Sequence, residues 1–349
     1  MLNPSTIGPT TSVNVAVVGL GFMGLSHLRA YFENPLAKVV AVCGATRLPV
    51  NGILSGVVGN IQSTADIQLG PEVKIFKSFQ DLLAEPEIQL VDLCTPTPLH
   101  SEQAIAALKA GKHVLCEKPT ARTSMEAREI LKVAAISPGF LMPAMCMRFW
   151  PGWSWLKQVV VAETFGKVFA ASFCRMSAMP AWNPRSTDSV KNVLGGALFD
   201  LHIHDTDFIN YLFGRPESVF STGVSGTNGE INHVVTQYHY RNGPAVCAEG
   251  SWLLAQGFKM AYTFHCERAT LDYDSTRGVD ALIVTEFGKL PLSVKLENTD
   301  GYALEIDYIL HCVANFQTPK TVTVEDGVVA LEICEAEERS IQTGAVVIL

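Results

Sequence analysis

The chain has 349 residues, of which 48% are hydrophobic, with a formal net charge of -8 and a pI near 5.6. That length suits two domains, and the apolar share is ample for two cores. The acidic balance and the lack of a long Lys/Arg cluster argue against nucleic acid or an anionic membrane as main partner and favour a small-molecule ligand.

Residues 1–12, rich in Pro, Thr, Ser and Gly, read as a mobile tail. They carry no basic region followed by an apolar stretch, and no later apolar run is long enough to span a bilayer, so a cytoplasmic location is expected. The nine cysteines are scattered, and Cys43, Cys94 and Cys116 sit in apolar runs as small core thiols do.

From Val13 the pattern alternates. A β-branched run over 13–18 ends in glycines, a helix is expected over 23–32 before Asn34-Pro35 stops it, and a second strand over 39–43. A helix over 78–84, a strand over 90–94, a helix over 101–110 closed by Gly111 and a strand over 113–116 follow. This predicts an α/β Rossmann domain over 13–141, a doubly wound parallel sheet with right-handed crossovers. The remainder, 142–349, changes character. A helix over 195–213 precedes alternating segments at 234–240, 245–252 and 260–266, then a helix over 325–342 and an apolar strand over 345–349. An α+β domain with an open-faced antiparallel sheet, serving substrate binding and oligomerisation, fits that order.

Gly19-Leu20-Gly21-Phe22-Met23-Gly24 follows the first strand and opens the first helix. There Gly19 permits a tight turn, Gly21 lets backbone approach a pyrophosphate, and Gly24 allows close helix packing. The N–H groups of the helix start, around Phe22 and Met23, face the phosphates. An acid that would bond the ribose 2'-hydroxyl is expected about 20 residues on, where the chain reads Cys43-Gly44-Ala45-Thr46-Arg47. With Gly44 in place of a carboxylate, and Thr46 and Arg47 able to hold a 2'-phosphate, NADP(H) is favoured over NAD(H). Thr95, Pro96, Thr97 and His100, in the loop after a parallel strand, are expected to border the nicotinamide side.

Lys118 precedes Pro119, which biases it to an extended conformation aimed at the crevice, where an ammonium can stabilise charge on a substrate oxygen. Asp200 and His204, four apart on a helix, project from one face, a spacing that lets an aspartate orient or charge an imidazole acting as general base. His202 falls off that face and reads as packing or surface, while Asp207 could cap or pair locally. His202, His204, Asp205 and Asp207 diverge too much for a metal site, so no metal is expected. Trp150, Trp153 and Trp182 lie on segments near the domain junction and could stack on a sugar.

As a set, GLGFMG, TPTPLH (95–100), AALKAGKHVLCEKP (106–119), GGALFDLHIHDTDFINYLFG (195–214) and EDGVVALEICEAEERSIQTG (325–344) resemble the glucose-fructose oxidoreductase / inositol dehydrogenase / MocA family from Val13 to Leu349. The resemblance implies a Rossmann domain followed by an open-faced sheet, and oxidation or reduction of sugars and cyclitols. It also implies Lys118, Asp200 and His204 as the catalytic trio, and matches Arg148 to an arginine that begins the second domain. Glu117 and Lys118 then join the cofactor contacts, and Arg148, Trp150 and Trp182 the substrate contacts. The expected function is an NAD(P)-dependent dehydrogenase or reductase of a sugar or polyol, working as a homodimer or homotetramer. The alternatives are a redox-neutral elimination or hydrolysis through a transient keto-sugar, and a non-catalytic nucleotide-binding regulator.

Overall fold

The computed structural model describes residues 12–57, 65–179, 195–226 and 229–349; nearly all of the expected N-terminal tail, and Trp182, lie outside them. The first half runs β1 (Val13–Val18), α1 (Phe22–Glu33), β2 (Ala37–Cys43), a short hairpin of β3 (Ile53–Leu54) and β4 (Ile67–Gln68), β5 (Lys74–Phe76), α2 (Phe79–Leu83) and β6 (Leu90–Leu93). It continues with α3 (His100–Lys109), β7 (His113–Glu117), α4 (Ser124–Ala134) and β8 (Leu141–Ala144). Six of these strands form one sheet in the order β5-β2-β1-β6-β7-β8. Its pairings are parallel throughout, with Val15 opposite both Val39 and Leu90. The central strands are covered on both faces, which is why β1 and β6 are mostly apolar and buried along their length rather than alternating, with Asp92 the buried polar exception in β6. The last parallel strand ends at Ala144, three residues past the boundary expected at 141.

Strand order reverses between β1 and β6, so the loops leaving their carboxyl ends part and open a crevice. The turn after β1 lies between β2 and the loop after β6: the Gly19 N–H donates to Cys43 O at the end of β2 at 2.9 Å, and the Cys94 N–H, just past β6, donates to Val18 O at 2.8 Å.

The second half contains α5 (Pro151–Val161), β9 (Val168–Ala178), α6 (Ile203–Phe213), β10 (Ser218–Ser225), β11 (Ile231–His239) and β12 (Ala245–Cys266). Then come β13 (Ala269–Asp274), β14 (Leu282–Glu286), β15 (Leu292–Val294), α7 (Gly301–Ala314), α8 (Val324–Thr343) and β16 (Val347–Ile348). The segments expected at 245–252 and 260–266 are two arms of β12: Ala245 to Ser251 pairs with one side of β9 and Phe258 to Cys266 with the other. A largely antiparallel eight-stranded sheet results, with buried and less buried residues alternating along β9 and β11. No described helix is long and apolar enough to cross a membrane.

Helix α7 has no counterpart among the sequence expectations. Asp300 caps it by accepting from the Tyr302 N–H at 2.8 Å, and it packs on α1. Ile306 and Leu310 from α7 and Leu331 from α8 join the apolar cluster that holds Val15 and Leu115, so the chain returns to complete the first core.

The second core centres on Trp153, which is 0% exposed and stands edge-on to Tyr262 at 5.2 Å and Tyr273 at 4.7 Å. That position makes Trp153 a packing residue rather than a sugar platform. Trp153→Ala should cost about 3–5 kcal/mol of stability, read as a lowered urea midpoint; an unchanged midpoint would contradict this placement.

Candidate active site

The glycine turn has the form a dinucleotide requires. Gly19 adopts φ +92°, where a side chain would strike the Cys94 carbonyl, and a Cβ on Gly24 would strike the Gly19 carbonyl. Gly21, the N-cap of α1, has nothing within 4 Å of a would-be Cβ and no side-chain cap. The first turn of α1 has neither a side-chain cap nor an acid, so its free N–H groups suit an anion.

At the end of β2, Gly44 is buried, and a Cβ there would collide with the Arg47 carbonyl. The tight turn itself excludes a carboxylate at this position. Thr46 is exposed, and Arg47 is half-buried with one guanidinium N–H on the Ser55 carbonyl. In the loop after β6, Thr95 donates to Gln103 Oε1 at 2.6 Å, Thr97 is buried and Pro96 exposed. His100, expected at the cofactor, is instead a buried brace, its ring nitrogens 2.8 Å from Pro119 O and 2.7 Å from Thr95 O. It ties this loop to the turn that carries Lys118.

Lys118 Nζ donates to Asp200 O at 2.6 Å and Asp200 Oδ1 at 2.8 Å. Burial alone would depress the ammonium, but Asp200 and Glu117 outweigh it and hold its pKa above the ordinary lysine value. Asp200 lies in a π-helical turn, Leu198–His202, that runs into α6. The wider turn alters the angular relation expected for an uninterrupted α-helix. The Asp200 carboxylate accordingly goes to Lys118, and His204 Nδ1 is buried without a hydrogen-bond partner, so the expected Asp200–His204 pairing is not formed. Burial, reinforced by the Lys118 and Arg175 cations, pushes the His204 pKa well below the usual histidine range. The imidazole is neutral at pH 7, the state a base needs.

Arg148, expected at the substrate, is buried and committed elsewhere. Its Nε and Nη2 donate to Asp207 at 2.9 and 2.6 Å, and Nη1 donates to Thr321 O at 2.7 Å. Asp207 thus pairs across the fold rather than locally. Asp205 receives a second bidentate fork from Arg175 at 2.8 and 3.0 Å, which the sequence did not single out. His202 is fully buried, 3.1 Å from Tyr238 Oη and 3.4 Å from Glu337 Oε1, a packing role. Trp150 stands edge-on to Tyr302 at 5.6 Å and lies against Gly301, which engages it at the α5–α7 junction.

Glu117 is buried behind Lys118. One carboxylate oxygen accepts from the Lys118 N–H at 3.0 Å, and the other lies 3.3 Å from His27 Nε2. His27, Asp92 and Cys94 converge within 4.8 Å. Burial and Asp92 push the Cys94 thiol far up, so it stays protonated and makes a poor metal ligand. Sequence reading missed this cluster; a histidine three residues past the last glycine of the turn, on the sheet-facing side of α1, was the available signal.

Residues 13–143 match the oxidoreductase family with an NAD-binding Rossmann fold, GFO_IDH_MocA, and residues 153–272 match the GFO/IDH/MocA C-terminal domain. Levoglucosan dehydrogenase of Pseudarthrobacter phenanthrenivorans is 30% identical over 211 residues, 60% of this chain and 53% of that protein. The chain thus spans about half the length of that relative. Myo-inositol 2-dehydrogenase of Thermotoga maritima is 27% identical over 286 residues, 79% of this chain and 84% of that one. A solved structure of levoglucosan dehydrogenase with NADH and levoglucosan shares the fold, with a TM-score of 0.79 at 21% identity over 97% of this chain and 99% of that one. With its two halves matching the family's two domains in order, the chain belongs to the GFO/IDH/MocA oxidoreductase family.

Proposed function

We propose that this chain is a nicotinamide-dependent dehydrogenase or reductase acting at a secondary alcohol or ketone of a sugar or cyclitol. The observation that carries this reading is the charged Lys118 on Asp200 near a half-buried, neutral His204. Relatives named as levoglucosan and inositol dehydrogenases support the substrate class. A bound nicotinamide dinucleotide supplies the hydride acceptor or donor, held by the turn at Gly19, Gly21 and Gly24. An ammonium has three donors, and two of those on Lys118 are engaged by Asp200, leaving one for the substrate oxygen. That contact stabilises negative charge on the oxygen as the C–H bond breaks. His204 accepts the hydroxyl proton during oxidation and returns it during reduction. Asp200 keeps the amine charged and aimed.

A screen of sugars and cyclitols with NAD(P) at 340 nm tests the reading, and silence across the panel with intact nucleotide binding would point to a regulator. Lys118→Ala and His204→Ala should each lower kcat by about 100-fold or more, with nucleotide affinity near wild type for the His204 variant. Full turnover in His204→Ala would remove its assigned role.

Acid sensitivity follows from the depressed His204 pKa. Below about pH 6.5 the unfolded imidazole takes up a proton that the folded one refuses, so stability falls as pH falls through that window, by about 1.4 kcal/mol per unit of depression. Thermal melts at pH 7 and pH 5 should show a smaller acid loss in His204→Asn than in wild type. An identical loss would mean that the folded imidazole titrates normally.

For the cofactor we propose a preference for NADPH over NADH, because Gly44 removes the competing carboxylate and Arg47 and Thr46 lie on the same turn. Arg47→Ala should cost about 1.5–3 kcal/mol of NADPH binding and little of NADH binding. Equal affinities of the wild type for the two nucleotides would refute the preference.

We also propose self-association through the open face of the large sheet, where Phe220 and Val235 are 36% and 37% exposed. Apolar surface of that kind is commonly covered by a second copy. Light scattering at micromolar protein should return a dimer or tetramer, and a monomer would contradict it.

A further inference from the structure

His27 lies in α1, three residues past Gly24, and is 0% exposed. Its Nδ1 is hydrogen-bonded to Asp92 Oδ2 on β6 at 2.8 Å, and its Nε2, which makes no hydrogen bond, lies at an ion-pair distance of 3.3 Å from Glu117 Oε1 at the end of β7. The other Glu117 oxygen accepts from the Lys118 N–H at 3.0 Å, and Lys118 Nζ reaches Asp200 Oδ1 at 2.8 Å. A continuous polar path therefore runs from the helix that opens the dinucleotide turn to the amine at the reacting centre.

The surroundings of the imidazole explain why a cation belongs there. Cys94 Sγ lies 3.5 Å from Nδ1, and the Tyr302 ring approaches from α7 at 6.2 Å. Tyr31 from α1, Asp300 at the start of α7 and Glu305 within α7 complete the shell. Glu305 is fully buried with neither carboxyl oxygen hydrogen-bonded, and burial raises its pKa well above the usual range, so it is the neutral member. Asp92 and Glu117 are then the two buried acids that flank the His27 ring, and the Glu117 carboxyl is held below its usual pKa despite its burial. Burial works against a charge on the ring, but Asp92 outweighs it and raises the His27 pKa well above the ordinary value.

We infer that His27 is a positioning residue that, held between Asp92 and Glu117, fixes Glu117 and through it the backbone of Lys118 relative to the dinucleotide turn. This rests on the role proposed above for Lys118. A group that served only packing could be exchanged for an uncharged one at a cost to stability alone. A group that sets the position of Lys118 changes catalysis more than it changes nucleotide binding, because small misplacements of a reacting group are costly in rate.

The test uses the full chain with His27→Gln and, should that variant not fold, Glu117→Gln, which leaves the His27–Asp92 pair intact. Hydrogen–deuterium exchange followed by mass spectrometry reads the peptide around residues 115–121 against peptides from β1 and α1. Fluorescence titration with NADPH and NADH reads binding, and turnover is measured on whichever sugar or cyclitol the screen identifies. The expected result is faster exchange confined to the Lys118 peptide, nucleotide Kd within about 3-fold of wild type, and kcat lower by about 10-fold with KM little changed. Unchanged exchange at Lys118, or a loss of protection spread evenly over β1, α1 and the Lys118 peptide, would overturn the inference. The exchange measurement needs no substrate, so it stands apart from the dehydrogenase reading. A wild type without turnover would sink that reading and leave this result to be judged by itself.

Discussion

Everything at this site depends on one ammonium held against one aspartate across the junction of the two sheets. Lys118 is set by β7 of the parallel sheet, and Asp200 by the π turn leading into α6. Removing two charges from water is expensive and is offset only when geometry and hydrogen bonds are good. Here the amine reaches both the carboxylate and the main-chain carbonyl of the same residue. The contact joins the nucleotide-binding half to the half that presents His204, so the groups of the proposed reaction share a frame.

The helix that carries His204 is fixed by its acids. Asp205 is gripped by Arg175 from β9 and Asp207 by Arg148 from the turn after β8. Together with Lys118 on Asp200, three cations from three different elements hold one stretch of eight residues, Asp200 to Asp207. Each fork is buried, and losing one partner of such a pair typically costs about 3–5 kcal/mol because a bare charge is left behind. The same cations act on function. Lys118 and Arg175 help to strip the proton from His204 while their own charges remain balanced by Asp200 and Asp205. Stability and the neutral state of the His204 imidazole therefore come from one set of residues.

The glycine turn was legible because its chemistry is local: a strand, three glycines and a helix start suffice to predict where backbone can approach an anion. Lys118 was legible from its place after a strand and before a proline. Arg148, by contrast, looked like a substrate ligand because its partners Asp207 and Thr321 are 59 and 173 residues away. His100 looked like a cofactor contact, since nothing in the order of residues shows that its two nitrogens meet the carbonyls of Thr95 and Pro119. Helix α7 escaped notice because both of its sides find cover, leaving no clear polar stripe to mark its period.

The sequence by itself determined the alternation of strands and helices, the glycine turn with its missing acid, and the residue types able to move a proton. These depend on neighbours within a few positions, where periodicity and backbone freedom act. Only the tertiary structure decided which charges meet. It sent Asp200 to Lys118 rather than to His204, paired Arg148 with Asp207 across the fold, and assembled His27, Asp92 and Glu117 behind the lysine. Pairings of that kind depend on which buried groups the packed elements bring within about 3 Å of each other, and no local pattern records that distance.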